Sequence, residues 1–130
     1  MKPLVYIETS IFRCYYDERT HPAIVVRREW TQEWWHQDRF HYQLVTSTAV
    51  LDELSKGQKP HKEKARTLAL TLPVMTSSEE ITEIVAVYFA HHLMPQDPLG
   101  DALHLALASY HKCDYLLTWN CQHLANANKF

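Results

Sequence analysis

Residues 100–120, GDALHLALASYHKCDYLLTWN, decide the fold class of this chain. The alanine- and leucine-rich first part predicts a buried helix over Ala102–His111, with Asp101 at its first turn. The next apolar run, Cys113–Thr118, predicts a buried strand, and Asn120 follows just past its end. A buried helix that leads into a buried strand is typical of an α/β domain.

The same alternation of strands and helices extends over the rest of the chain. It predicts one α/β domain, residues 1–130, around a central, mainly parallel sheet whose ligands bind outside the carboxyl ends of the strands. The pattern does not determine the strand order. The other predicted strands are Leu4–Ile7, Gln43–Thr46 and Val74–Thr76, and the other predicted helices are Ala23–Gln37, Ser47 or Thr48 to Ser55, His61–Leu70 and Asn120–Asn126. Ser77 and Glu80 have the spacing of a capping box, which predicts one more helix start before the apolar residues Ile81, Ile84, Val85 and Tyr88.

The composition narrows the classes of protein that fit. With 130 residues, 46% of them hydrophobic, the chain suits one compact core. Two glycines argue against a glycine-cradled phosphate loop or a dinucleotide fold. The net charge of −2 does not indicate a nucleic-acid binder, although bound divalent ions would cancel several carboxylates.

The cysteines and the apolar runs indicate in which cellular compartment the protein is expected. Three cysteines without CxxC spacing suit reduced thiols in a cytoplasm. The opening MKPLVYIETS has too short an apolar run for a signal peptide. No apolar stretch approaches the roughly 20 residues of a membrane helix. We therefore expect a cytoplasmic protein that does not bind membranes.

Four oxygen-bearing side chains fall where strands end and helices begin. Glu8 and Asn120 each follow a predicted strand, Asp101 opens a helix, and Glu53 lies in the helix after the second strand. These positions converge on one edge of a parallel sheet, where the carboxylates would repel each other. Mg²⁺ or Mn²⁺ relieves that repulsion and activates a water molecule, so the cluster suits phosphodiester hydrolysis.

Each of these residues also has a structural interpretation. Glu8 would be an ordinary surface acid, Glu53 would belong to a solvated helix face, Asp101 would favour a helix N-terminus through the macrodipole, and Asn120 would cap a helix. No single position decides between the two interpretations.

Four segments, VYIETSIF, STAVLDEL, GDALHLALASYHKCDYLLTWN and CQHLANAN, together resemble the PIN-domain family, and more closely the VapC-type toxins of bacterial toxin–antitoxin pairs. The resemblance implies a Rossmann-like, three-layer PIN sandwich and a toxin that cleaves RNA as an endoribonuclease with Mg²⁺ or Mn²⁺. It also implies a homodimer, and a small antitoxin that inserts a segment near the active site. Relatives usually continue past HLANAN, so the chain is expected to be short at its C-terminus.

The resemblance assigns roles by position. The three family acids fall on Glu8, Glu53 and Asp101 as metal ligands, with Glu8 in place of the commoner Asp. Asn120 takes the fourth, usually acidic, position of the catalytic set. Thr9 and Thr118 match hydroxyl positions that orient Glu8 or a bound water, or that cap the following helices.

Other residues near this site have weaker assignments. Arg13, close to Glu8, would touch a phosphate of the substrate. His104, three residues after Asp101, would pack near the site or contact the substrate. Asp97 would add a further carboxylate. The basic run Lys56, Lys59, Lys62, Lys64 and Arg66 suits a solvated helix face better than an RNA-binding patch.

Two tryptophans of the predicted helix Ala23–Gln37 allow more than one interpretation. Trp30 and Trp34 share a helical face, which favours packing in the core or between subunits over base stacking.

Asn120 and the early end of the chain also allow a catalytically impaired PIN-like module that only binds RNA or a protein. A phosphoryl-transfer enzyme with a strand-end nucleophile is disfavoured, because Ser10 stands where a second Asp is needed.

Overall fold

A computed structural model describes residues 1–57, 60–76, 78–81, 83, 87 and 99–120, without the side chains of 99–102. Its elements follow the alternation that the sequence predicts. They are β1 Leu4–Ile7, α1 Thr9–Tyr15, α2 Pro22–Glu33, a π-helical turn Trp34–Asp38, a 3₁₀ turn Arg39–His41, β2 Gln43–Ser47, α3 Thr48–Ser55, α4 Lys62–Ala69, β3 Val74–Met75, α5 Leu99–Tyr110 and β4 Tyr115–Leu117.

The four described strands form one parallel sheet in the order β3-β2-β1-β4. The predicted α/β class with a parallel sheet is confirmed. In the register, Tyr6 of β1 lies between Val45 of β2 and Leu116 of β4. The chain passes from β1 to β2 and β3 on one side and returns to β4 on the other. Such a reversal opens a crevice at the carboxyl ends of the adjacent strands β1 and β4.

Strand β1 is the centre of the core. Its residues Val5, Tyr6 and Ile7 are all at most 3% exposed. Because successive side chains of a strand point to opposite faces, burial of all three requires cover on both faces of the sheet. The arrangement is compatible with a Rossmann-like sandwich. Among the described residues, no helix has the length and apolar character to cross a bilayer.

Local side chains begin the helices. The Ser47 hydroxyl accepts from the Val50 N–H at 3.3 Å and caps α3, which confirms one of the two predicted caps. Pro22 occupies the first turn of α2, where its missing N–H costs nothing, and His21 Nδ1 accepts from the Ala23 N–H. Gly57 adopts a φ of +79° just after α3 ends, a conformation that favours glycine.

The structure differs from the predictions for two helices and for the burial of one side chain. The residues after Glu8 form helix α1, which the sequence pattern did not predict. The helix predicted to Gln37 ends at Glu33 and continues as a π-helical turn. Trp30 is 63% exposed, so packing in the core is wrong for this residue. The final helix predicted from Asn120 falls on 121–130, and those residues lie outside the described part, as do Asp97 and Lys59.

The core predicts a contrast between two leucines. Leu54 on α3 is 1% exposed and Leu70 after α4 is 49% exposed. Truncation of Leu54 removes apolar burial and leaves a cavity, so Leu54→Ala should lower the free energy of unfolding by about 2–5 kcal/mol. Leu70→Ala, the matched control, should change it by less than about 0.5 kcal/mol. Urea unfolding measures both, and similar losses in the two variants would contradict this description of the core.

Candidate active site

Two polar side chains meet where β1 and β4 end. Glu8 follows the last residue of β1, and Thr118 follows the last residue of β4. The Glu8 N–H donates to the Leu117 carbonyl at 3.1 Å, so the pairing of the strands extends up to these two residues. The Thr118 hydroxyl donates to Glu8 Oε1 at 2.6 Å. This contact lies at the point where the strand order reverses.

The Glu8 carboxylate is buried and serves as the N-cap of α1. It is 5% exposed, and its Oε1 also accepts from the N–H and the hydroxyl of Ser10. The hydrogen bonds described for this carboxylate all end on Oε1. Burial of a carboxylate is costly unless hydrogen bonds compensate it, and these donors supply that compensation. Glu8 is therefore not an ordinary surface acid, which was the structural interpretation of this residue.

Glu53 is held by a buried histidine. His104 of α5 is fully buried, and its Nε2 donates to Glu53 Oε1. The hydroxyl of Thr9 donates to the same oxygen at 3.2 Å. We expected Thr9 to orient Glu8, but its hydroxyl contacts Glu53 instead. Arg13 donates from Nη2 to the backbone carbonyl of Glu53 at 2.7 Å.

A chain of hydrogen bonds continues from His104 into the core. The Tyr6 hydroxyl lies 2.6 Å from His104 Nδ1 and 2.7 Å from Ser47 Oγ. Because Glu53 as a carboxylate can only accept, Nε2 of His104 carries a proton, and a neutral ring then accepts from Tyr6 at Nδ1. Tyr6 in turn accepts from Ser47. Burial raises the pKa of the Tyr6 phenol, which keeps it protonated in this chain.

Opposing influences act on the pKa of the Glu53 carboxyl. Burial raises it, but the hydrogen bond from His104 and its electrostatic interaction with the carboxylate lower it, followed by the Thr9 hydroxyl and Arg13. The net result is a pKa below the usual range. Glu53 is therefore ionised at neutral pH even though the site buries part of it.

Both carboxylates line one cleft of about 830 Å³, a volume that suits a ligand site. Arg13 and Asn120 line it with them. Further charged side chains line the cleft: the cationic Arg19, Arg27, Lys56 and Lys62 and the acidic Asp17 and Glu18. Lys62 donates to the backbone carbonyl of Gly57 at 3.1 Å, so this contact leaves its charge available to an anion.

The structure brings together most of the residues that the sequence singled out. Glu8, Glu53, Arg13 and Asn120 share the cleft, while Thr118, Thr9 and His104 hold the two carboxylates. Asp101 is the third residue of α5, one turn before His104, and its side chain lies outside the described part. Among the side chains that are described, no three His, Cys, Asp or Glu groups come together as a metal site.

Sequence reasoning missed three residues of this site. Ser10 donates to Glu8 and accepts from the backbone N–H of Trp119, and so joins the ends of β1 and β4. Tyr6 and Ser47 were read only as strand and cap residues. The signal for Ser10 was the sequence Glu8-Thr9-Ser10 directly after a strand, which is typical of a capped helix start.

The chain was compared with protein-family models and with curated proteins, and neither comparison finds a match. The family expected from the four sequence segments therefore stays a prediction.

The depressed pKa of Glu53 predicts a pH-dependent contribution to stability. Because the folded-state pKa lies below the ordinary value of 4.5, the charged carboxylate stabilises the fold above pH 4.5. This contribution is lost as the pH falls through the folded-state pKa. Glu53→Gln should therefore unfold more easily than the wild type at pH 7, and the difference should shrink below pH 4.5.

Urea unfolding between pH 7 and pH 3 measures this difference. Glu29→Gln on the exposed side of α2 is the matched control and should follow the wild type at every pH. A Glu53→Gln difference that stays constant down to pH 3 would show that the Glu53 charge does not stabilise the fold.

Proposed function

We propose that this chain is a metal-dependent endoribonuclease of the PIN-domain family, of the VapC toxin type, which hydrolyses RNA phosphodiesters. The observation that carries the proposal is the convergence of Glu8 and Glu53 on one cleft at the strand-order reversal. The two carboxylates come from different elements, and each is held by hydroxyl or imidazole donors. Two carboxylates that are buried or partly buried in a cleft and held by specific donors are typical of a functional site.

Asp101 is proposed as the third carboxylate. Helix α5 precedes β4, which is parallel to β1, so the helix must run back from the carboxyl edge of the sheet. Its first turns, with Asp101, would then lie toward the edge at which Glu8 and Glu53 line the cleft. The contact between His104 and Glu53 supports this, because Asp101 precedes His104 by one helical turn.

The donor set fits a hard divalent cation. Carboxylate and amide oxygens are the ligands that Mg²⁺ and Mn²⁺ prefer. The hydrogen bonds described for Glu8 end on Oε1, and so do those of Glu53, so the other oxygen of each carboxylate would be the one to hold a cation. A bound cation would lower the pKa of a water molecule and neutralise charge that develops on the phosphate.

The chain's own residues would orient the acids and the substrate. His104 and Thr9 fix Glu53, and Thr118 with Ser10 fixes Glu8, so neither carboxylate has to reorganise when RNA arrives. Arg13 lies in the cleft within reach of a phosphate. The amide of Asn120 would orient a water molecule without adding negative charge.

The order of the four sequence segments supports the remaining parts of the proposal. A VapC-type toxin is expected to act as a homodimer and to be neutralised by a small antitoxin that inserts a segment near the active site. The PIN sandwich itself belongs to this proposal, since the parallel sheet supports only the broader α/β class.

A PIN-like module that binds RNA or a protein without cleavage is the second candidate. The observation that favours it is Asn120, an uncharged residue in the cleft at the fourth, usually acidic, position of the family. This candidate predicts that RNA is retained but not cleaved in Mn²⁺.

Cleavage of a 5′-labelled single-stranded RNA in Mn²⁺ tests the ribonuclease. Wild-type protein should produce internal cuts, and EDTA should abolish them. Glu53→Gln should lower the rate by about 100-fold or more, because it removes a negative charge that would hold the cation, and the cation would neutralise the charge of the transition state. Glu63→Gln should leave the rate unchanged.

Two outcomes would reject the assignment. Equal activity in wild type and Glu53→Gln would show that cleavage does not use this site. RNA binding without any cleavage by the wild type would favour the binding module.

A further inference from the structure

A second cleft lies beside the acidic site, between α2 and the end of β4. It has a volume of about 440 Å³, and we call it the tryptophan groove after Trp30, Trp34 and Trp119, which line it with the apolar Ile11 and Leu117. Trp30 is 63% exposed, whereas a tryptophan is usually well buried. An exposed aromatic surface of this kind is a binding site more often than other parts of a protein surface are.

Two of the tryptophans that line the groove lie next to each other and form one aromatic surface. The ring centroids of Trp30 and Trp119 lie 6.3 Å apart, and the ring planes are inclined by 31°. The indole N–H of Trp119 donates to Thr31 Oγ1 at 2.9 Å, and the Thr31 hydroxyl donates to the Arg27 carbonyl. Trp119 is therefore held in place before any ligand arrives, which reduces the entropy lost on binding.

Trp119 connects this groove to the acidic cleft. It lines both of them, and its backbone N–H donates to Ser10 Oγ at 2.8 Å. The same Ser10 hydroxyl donates to the carboxylate of Glu8. A ligand that spans both clefts would thus place one part on the aromatic surface and another beside the acid.

Of the two clefts, only the acidic one has Lys and Arg among its described lining residues. Beside its carboxylates it carries Arg13, Arg27, Lys56 and Lys62, which attract phosphate. The tryptophan groove has no Lys or Arg among its described lining residues; it contains the carboxylates of Glu33 and Asp38. Carboxylates repel phosphate, but they accept hydrogen bonds from the amino groups of bases.

We propose that the tryptophan groove binds an unpaired nucleobase of single-stranded RNA, with a preference for bases that carry an amino group over uracil. This inference rests on the proposed ribonuclease, and it adds the part of the substrate that the groove selects. Trp30 supplies the stacking surface, and Glu33 and Asp38 accept from the base edge. The adjoining phosphates run into the acidic cleft, toward its Arg and Lys side chains. Only an unpaired base offers a free face for such stacking.

Fluorescence anisotropy with labelled hexamers of adenylate and of uridylate tests the subsite. The titrations are made in EDTA, so that no metal-dependent cleavage occurs. Trp30→Ala should raise the Kd for the adenylate hexamer about 10-fold or more. The matched control is Phe40→Ala, which removes an equally exposed aromatic ring outside the groove and should leave the Kd unchanged. The double variant E33Q/D38N should reduce the preference for adenylate over uridylate.

The outcomes separate this inference from the proposed function. Equal Kd values for Trp30→Ala, Phe40→Ala and wild type would overturn the subsite even where the wild type cleaves RNA in Mn²⁺. Loss of binding in Trp30→Ala alone would support the subsite even where no cleavage occurs. If Trp30→Ala turns a dimer into a monomer in sedimentation and leaves RNA binding unchanged, the groove is an interface between copies and the inference is wrong.

Discussion

The hydrogen bond from Thr118 to Glu8 joins residues that lie 110 positions apart in the chain. It links the carboxyl ends of β1 and β4. The hydroxyl of Ser10 in α1 forms hydrogen bonds with both of these side chains. Everything proposed for the site depends on this contact, since it fixes a buried carboxylate at the carboxyl edge of the sheet. Without it, the negative charge of Glu8 would lack a main compensating donor.

The buried polar chain behind Glu53 has a comparable effect on the opposite side of the cleft. Ser47, Tyr6 and His104 connect the second strand, the first strand and α5 to one carboxylate. A fully satisfied buried network contributes to rigidity because each group has only one arrangement that satisfies its neighbours. The result is a site whose acids are oriented by the fold.

Much of the fold could be predicted, because strong local signals mark it. β1 is an apolar run, β2 contains the β-branched Val45 and Thr46, and Ser47 is a typical cap before the periodic α3. Helix α1 was missed because Thr9–Tyr15 contains β-branched and aromatic residues of low helix propensity, and the Glu8 cap with burial outweighs that propensity. The strand order and the contact of His104 with Tyr6 depend on distant segments, so no local pattern could reveal them.

Binding of Mn²⁺ is the most direct test of the central claim that these acids gather around a cation. Isothermal titration calorimetry should give a saturable site in the wild type and an affinity at least about 10-fold lower in Glu8→Gln. Glu29→Gln on the exposed side of α2 should bind like the wild type. Equal affinity in Glu8→Gln and wild type, or no binding by the wild type at millimolar Mn²⁺, would contradict the account.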